Sequence, residues 1–149
     1  MVSSPLRRAL GMVLAGLLLT LLPSCDRASP EEQLRGVIGE MQAAAEARDP
    51  RAFVEYVSED FAGTPGELDR EGLRNLLRAL LLQQRSVGVT LGTMDVKLFG
   101  DDRATVKTSA LLTGRQGGLL PESGDRIAIE SDWRIENGEW RCIAARWTS

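Results

Sequence analysis

The chain has 149 residues, with 18 basic side chains against 21 acidic ones, a net charge of −3 and no histidine. One domain fits that length, and mild acidity without a Lys/Arg cluster excludes an electrostatic grip on nucleic acid. The missing imidazole removes every Ser-His or Cys-His nucleophile scheme, the commonest metal ligand and the commonest base near neutral pH.

Arg7 and Arg8 precede an apolar run from Ala9 to Leu22, and Pro23, Ser24 and Cys25 close it. A basic end, a short apolar stretch and a small residue at the boundary are the parts of an export signal. As a helix the run is about 21 Å long, too short for a bilayer core of about 30 Å. Its ending resembles a bacterial lipoprotein signal, which implies that Cys25 is lipidated and becomes the new N-terminus. Ordinary secretory cleavage is the rival, but its nearest site, after Ala28, puts Asp26 where a small residue is needed. The chain thus divides into a leader at 1–24, a lipidated tether at 25–30 and a domain at 31–149.

Several expectations follow from an acylated Cys25. More than one fatty chain, at about 0.8 kcal/mol per buried CH₂, makes membrane lipid a stable partner. The protein is expected in a bacterial cell envelope, facing the periplasm. Asp26 resembles the inner-membrane retention signal of enteric bacteria, with inner or outer membrane left open. Without Arg7 and Arg8 the basic count falls from 18 to 16 against 21 acids, a net charge of −5. Cys142 becomes the remaining thiol, so no internal disulfide is expected.

Ser29-Pro30-Glu31-Glu32 reads as a capping box opening a helix, with Leu34, Val37, Ile38, Met41 and Ala45 as its apolar stripe. Asp49-Pro50 starts a short second helix carrying Phe53, Val54, Tyr56 and Val57. After a break at Gly63-Thr64-Pro65-Gly66, Asp69 caps a third helix with Leu73, Leu76, Leu77 and Leu80 as its buried face. The period then changes. Val87 to Phe99 is rich in Val, Thr and Leu with Gly88 and Gly92 as bend points, Gly100-Asp101-Asp102 is a turn, and Ala104 to Leu112 is a returning strand. A long connection from Thr113 to Arg126 carries Leu119 and Leu120, which suit a pocket cap or a partner contact as well as local packing.

Ile127 to Ile135 and Trp140 to Trp147 flank Asn137-Gly138, the strongest short hairpin signal. A two-residue loop pairs Trp133 with Cys142, Ser131 with Ala144 and Ile129 with Arg146 on a largely apolar face. Arg134 against Arg141, Asp132 against Ile143 and Glu130 against Ala145 make a mixed opposite face. Helices first and antiparallel strands after predict an α+β domain with the helices on one sheet face.

Residues 31 to 147 resemble the nuclear transport factor 2-like (SnoaL-like) superfamily. The resemblance rests on the opening helix, Ala47-Arg48-Asp49-Pro50, Ser58-Glu59-Asp60-Phe61 and the closing Asn-Gly hairpin. It implies three helices on a curved antiparallel sheet, a cone with a pocket, and a possible homodimer through the sheet. The superfamily holds isomerases, dehydratases, transport factors and binding domains, so the fold leaves function open.

Enzymes of the superfamily use an Asp, Tyr or His dyad in the cone, which directs attention to Tyr56 as hydrogen-bond donor and Asp60 as base. The plainer roles, a core-edge tyrosine and a solvated or capping acid, are favoured. Arg146, on the apolar strand face with Trp133, must snorkel, pair with an acid or meet an anionic ligand. Cys142 reads as a small buried hydrophobe. Asp101-Asp102 reads as a turn former, and no metal or cofactor is expected. The reading favoured is an envelope lipoprotein whose domain binds a small ligand or an envelope protein, without catalysis, through Tyr56, Asp60, Trp133 and Arg146. An isomerase or dehydratase acting on a small apolar substrate is the alternative.

Overall fold

A computed structural model describes residues 27–115 and 124–149. The leader, Cys25, Leu119 and Leu120 lie outside the described residues.

Helix α1 (Pro30–Glu46) opens on the expected box: the Ser29 backbone N–H donates to the Glu32 carboxylate at 2.8 Å, and the Glu32 N–H donates to the Ser29 hydroxyl at 3.2 Å. Its stripe buries Leu34, Ile38 and Ala45 and packs Val37 and Met41 on the core. Helix α2 (Pro50–Val54) starts under Asp49, whose carboxylate accepts from the Arg51 and Ala52 N–H groups. It is shorter than the sequence predicts. The Cys142 N–H donates to the Tyr56 carbonyl at 2.9 Å, so Val57 opens strand β1 (Val57–Thr64) instead of closing the helix. Pairing across the domain overrides the local apolar spacing.

Helix α3 (Arg70–Leu82) is capped by Asp69, which accepts from the Gly72 N–H at 2.7 Å. Leu73 and Leu77 face the core as expected, but Leu81 is the third inward residue, while Leu76 and Leu80 are exposed. The i, i+4, i+8 row aims inward and leaves the neighbouring leucines on a flank.

Strands β2 (Ser86–Leu91) and β3 (Asp95–Phe99) both pair antiparallel with β4 (Arg103–Arg115), β2 along its second half and β3 along its first. Strands β5 (Asp125–Glu136) and β6 (Glu139–Thr148) complete one sheet of order β1-β6-β5-β4-β2. The sheet is mixed, since β1 runs parallel to β6. The edge of β2 is occupied by α1: Gln42 donates to the Val89 carbonyl at 2.6 Å, and the Val89 N–H donates to Glu46 at 3.1 Å.

The closing hairpin turns at Asn137 and Gly138, both at positive φ (52° and 81°), as a type I′ turn requires. Trp133 opposes Cys142 as expected, but the register slips by one residue just beyond them. Ile143 is the extra residue of a β-bulge. Asp132 therefore opposes Ala144, Ser131 opposes Ala145, Glu130 opposes Arg146 and Ile129 opposes Trp147. The slip exchanges faces, so Ala145 and Trp147 turn to the core and Arg146 turns away from it.

The core lies between the helices and one sheet face. Trp140 and Trp133 are 2% and 3% exposed, and their indole N–H groups are satisfied by the Pro30 carbonyl at 3.1 Å and the Ser131 hydroxyl at 2.8 Å. Among the described residues no helix is long and apolar enough to cross a membrane.

Candidate functional site

The space between helices and sheet, where the resemblance implies a pocket, is occupied by Trp133, Trp140, Phe61 and Cys142, each at most 4% exposed. Burial pushes the Cys142 thiol up to about 12, and the thiol donates to the Ala144 carbonyl at 3.3 Å. At neutral pH it is an un-ionised core side chain and not a nucleophile.

The charged chemistry gathers on the opposite face of the sheet. Pairing across β4, β5 and β6 builds three rows: Arg103–Arg134–Arg141, Thr105–Asp132–Ala144 and Lys107–Glu130–Arg146. Arg146 donates to Glu130 at 2.7 Å and to Asp132 at 3.3 Å, and Lys107 lies 3.5 Å from Glu130. The Arg146 hydrogen bond holds the Glu130 carboxyl below its ordinary range, and the same bond raises Arg146. An open depression of about 310 Å³ sits here, lined by Lys107, Thr108, Ala128, Ile129, Glu130, Arg146 and Thr148.

A second cluster ties β1 to β5 across β6. Ser58, only 2% exposed, donates to Glu136 at 2.9 Å and accepts from Arg134 at 3.4 Å. Arg134 also pairs with Glu136, and reaches Asp60 at 3.2 Å. The Arg134 bond lowers the Glu136 carboxyl, and the Glu136 and Asp60 contacts raise Arg134.

A smaller hollow of about 160 Å³ between α2 and α3 is lined by Arg51, Arg70, Arg74, Glu55, Glu71 and Val54. Arg70 is committed there, donating to the Val54 and Val57 carbonyls and pairing with Glu59 at 3.0 Å. Neither hollow is lined by a core tryptophan.

The four residues singled out from the sequence do not share one space. Trp133 is core, and Tyr56 is half-buried at the turn between α2 and β1. The side chain of Asp60, 77% exposed, faces Arg134. Arg146 is half-exposed and held by two acids, which corrects its expected place beside Trp133. Sequence reasoning missed Ser58, Glu130, Asp132, Arg134 and Glu136. The signal available was the charged alternation of β5 on the face read as mixed.

No protein-family model matches the sequence, and no curated protein matches it. Solved structures do match. An NTF2-like protein with a cystatin-like fold from Novosphingobium aromaticivorans is similar at a TM-score of 0.66 and 18% identity, covering 99% of this chain and 90% of that one. A candidate scytalone dehydratase from the same organism matches at 0.63 and 10% identity, covering 78% and 81%. A candidate dehydratase of the NTF2-like family from Streptomyces avermitilis matches at 0.65 and 15% identity, covering 78% and 92%. The fold is therefore α+β, of the nuclear transport factor 2-like, cystatin-like kind.

Proposed function

We propose that this chain is an envelope lipoprotein, held to a membrane through Cys25, whose domain binds a partner on the charged outer face of its sheet. One observation carries the binding part. The interior is packed with Trp133, Trp140 and Phe61, while Lys107, Glu130, Asp132 and Arg146 present paired charges around an open depression. Arg146, shared between two carboxylates, offers a guanidinium that a partner's acid can compete for, and Arg suits planar, bidentate recognition. The ion pairs are half-solvated, so their exchange for intermolecular pairs costs little. The occupant favoured is a protein of the envelope with acidic groups at its contact.

The test uses a photo-crosslinking residue at Ala144, in the middle of the charged rows, in native membranes. A discrete adduct is expected, together with its loss in Arg146→Met, a variant that keeps the apolar stem and the fold. An adduct unchanged in Arg146→Met contradicts the assignment.

The names of two similar structures favour a second reading, loss of water from a small apolar substrate. That chemistry needs Tyr56 and Asp60 to meet one substrate as acid and base. Turnover of a hydroxy-carbonyl compound that Tyr56→Phe or Asp60→Asn abolishes, with Arg146→Met still active, would replace the binding reading.

A further inference from the structure

Acidic residues are absent from Gly72 to Met94, and the charges within that stretch are Arg74, Arg78 and Arg85. In a chain with more acids than bases this is a segregation, and the fold makes it a surface. Leu80 and Leu82 on α3 are each 53% exposed, and Leu76 is 36% exposed on the same flank as Leu80. Arg78 and Arg85 are exposed beside them, with no acidic partner among the described residues. Arg74 pairs with Glu71. A helix with unpartnered leucines and arginines of one sign matches an anionic lipid surface, which takes apolar side chains at the headgroup boundary and attracts guanidinium groups.

We infer that this corner of the domain, Leu76, Leu80 and Leu82 with Arg78 and Arg85, rests on anionic phospholipid. The inference builds on the anchor at Cys25 and adds a second point of attachment. Arg48, at the C-terminal end of α1, donates to the Gln84 carbonyl just after α3, so the leucine corner lies at the far end of α1 from the tether. The 17 residues of α1 span about 25 Å, and the five residues from Cys25 to Pro30 reach at most about 17 Å. Both points touch one bilayer when α1 lies along it. The leucine corner then meets lipid, the exposed Glu32, Glu40 and Glu46 of α1 stay in water, and the charged outer face of the sheet points away. A surface held at two points gains from effective concentration, so a weak patch suffices.

The test uses the full mature lipoprotein in protein-free vesicles of phosphatidylcholine alone or with phosphatidylglycerol. A polarity-sensitive fluorophore is placed at Leu80→Cys or, as control, at Lys107→Cys on the outer sheet face. Position 80 is expected to shift to the blue and to be quenched by a lipid-borne quencher in anionic vesicles, while position 107 stays in water. Arg78→Gln and Arg85→Gln are expected to reduce the ratio of lipid-contacting to free protein about fivefold each. Flotation of the same samples reads the anchor separately. A chain that floats while position 80 remains in water overturns the lipid contact and leaves the anchor standing. A chain that does not float on phosphatidylcholine, yet is quenched at position 80 by anionic vesicles, supports the contact and overturns the anchor. Shielding of position 80 in native membranes but not in protein-free vesicles overturns the lipid assignment in favour of a protein occupant.

Discussion

Glu130 and Glu136 make the outer face of the sheet sensitive to acid. Each carboxyl is held below its ordinary 4.5, first by a guanidinium hydrogen bond, from Arg146 and Arg134 respectively. A carboxyl depressed in the folded state contributes stability that is fully present above its unfolded value and is lost as pH falls through the folded value. The urea midpoint is therefore expected to hold from pH 7 to about 5 and to fall below about 4.5. Glu136→Gln, which also loses the charged partner of Arg134, should start lower at pH 7 and lose less on acidification. A parallel fall in parent and variant contradicts the assignment. Cys142 acts at the other extreme: its raised thiol stays protonated while the unfolded thiol ionises, so its contribution is lost only as pH rises above about 9.

The bulge at Ile143 decides what the closing hairpin presents. With one extra residue in β6, Trp147 and Ala145 complete the core and Arg146 joins Glu130 and Asp132. Strict one-to-one pairing of the same residues, with Ile143 opposite Asp132, would turn Arg146 inward and Trp147 outward. An uncompensated buried charge costs about 3–5 kcal/mol; the bulge avoids it and puts Trp147 on the core instead, so Trp147→Ala is expected to cost about 3 kcal/mol in urea titration and Arg146→Ala far less. Ile143→Ala keeps the residue count and should cost less than about 2 kcal/mol at this half-buried position. A Trp147→Ala variant as stable as the parent contradicts this role for the bulge. The same element shows how far the sequence can be read. Asn137-Gly138 and the Trp133–Cys142 pair are legible because turn chemistry is local. The bulge is not, because nothing in Cys142-Ile143-Ala144 marks the extra residue; it follows from pairing on both sides of β6. Strand β1 was hidden for a similar reason. Phe53, Val54 and Val57 keep helical spacing, and only the Tyr56–Cys142 backbone bond turns the chain into the sheet. The helix caps at Ser29, Asp49 and Asp69 were legible, each resting on neighbours two or three residues away. The charged cluster of Ser58, Asp60, Arg134 and Glu136 joins residues more than seventy positions apart, beyond the reach of local pattern.

The domain as a whole has two unlike sides. One is the helix layer, with its basic, leucine-bearing corner on α3; the other is a sheet face of alternating charges with no helix over it among the described residues. In the proposed arrangement a membrane meets the first side and an envelope partner the second. Everything in that arrangement depends on the chain being held at its N-terminus, and there the sequence makes a sharp claim. The N-terminal peptide of protein purified from membranes of a native-like bacterial host should be measured by mass spectrometry. An acylated peptide beginning at Cys25 is the expected result. Unmodified peptide spanning residues 20–30, or a mature chain beginning elsewhere without acylation, contradicts it.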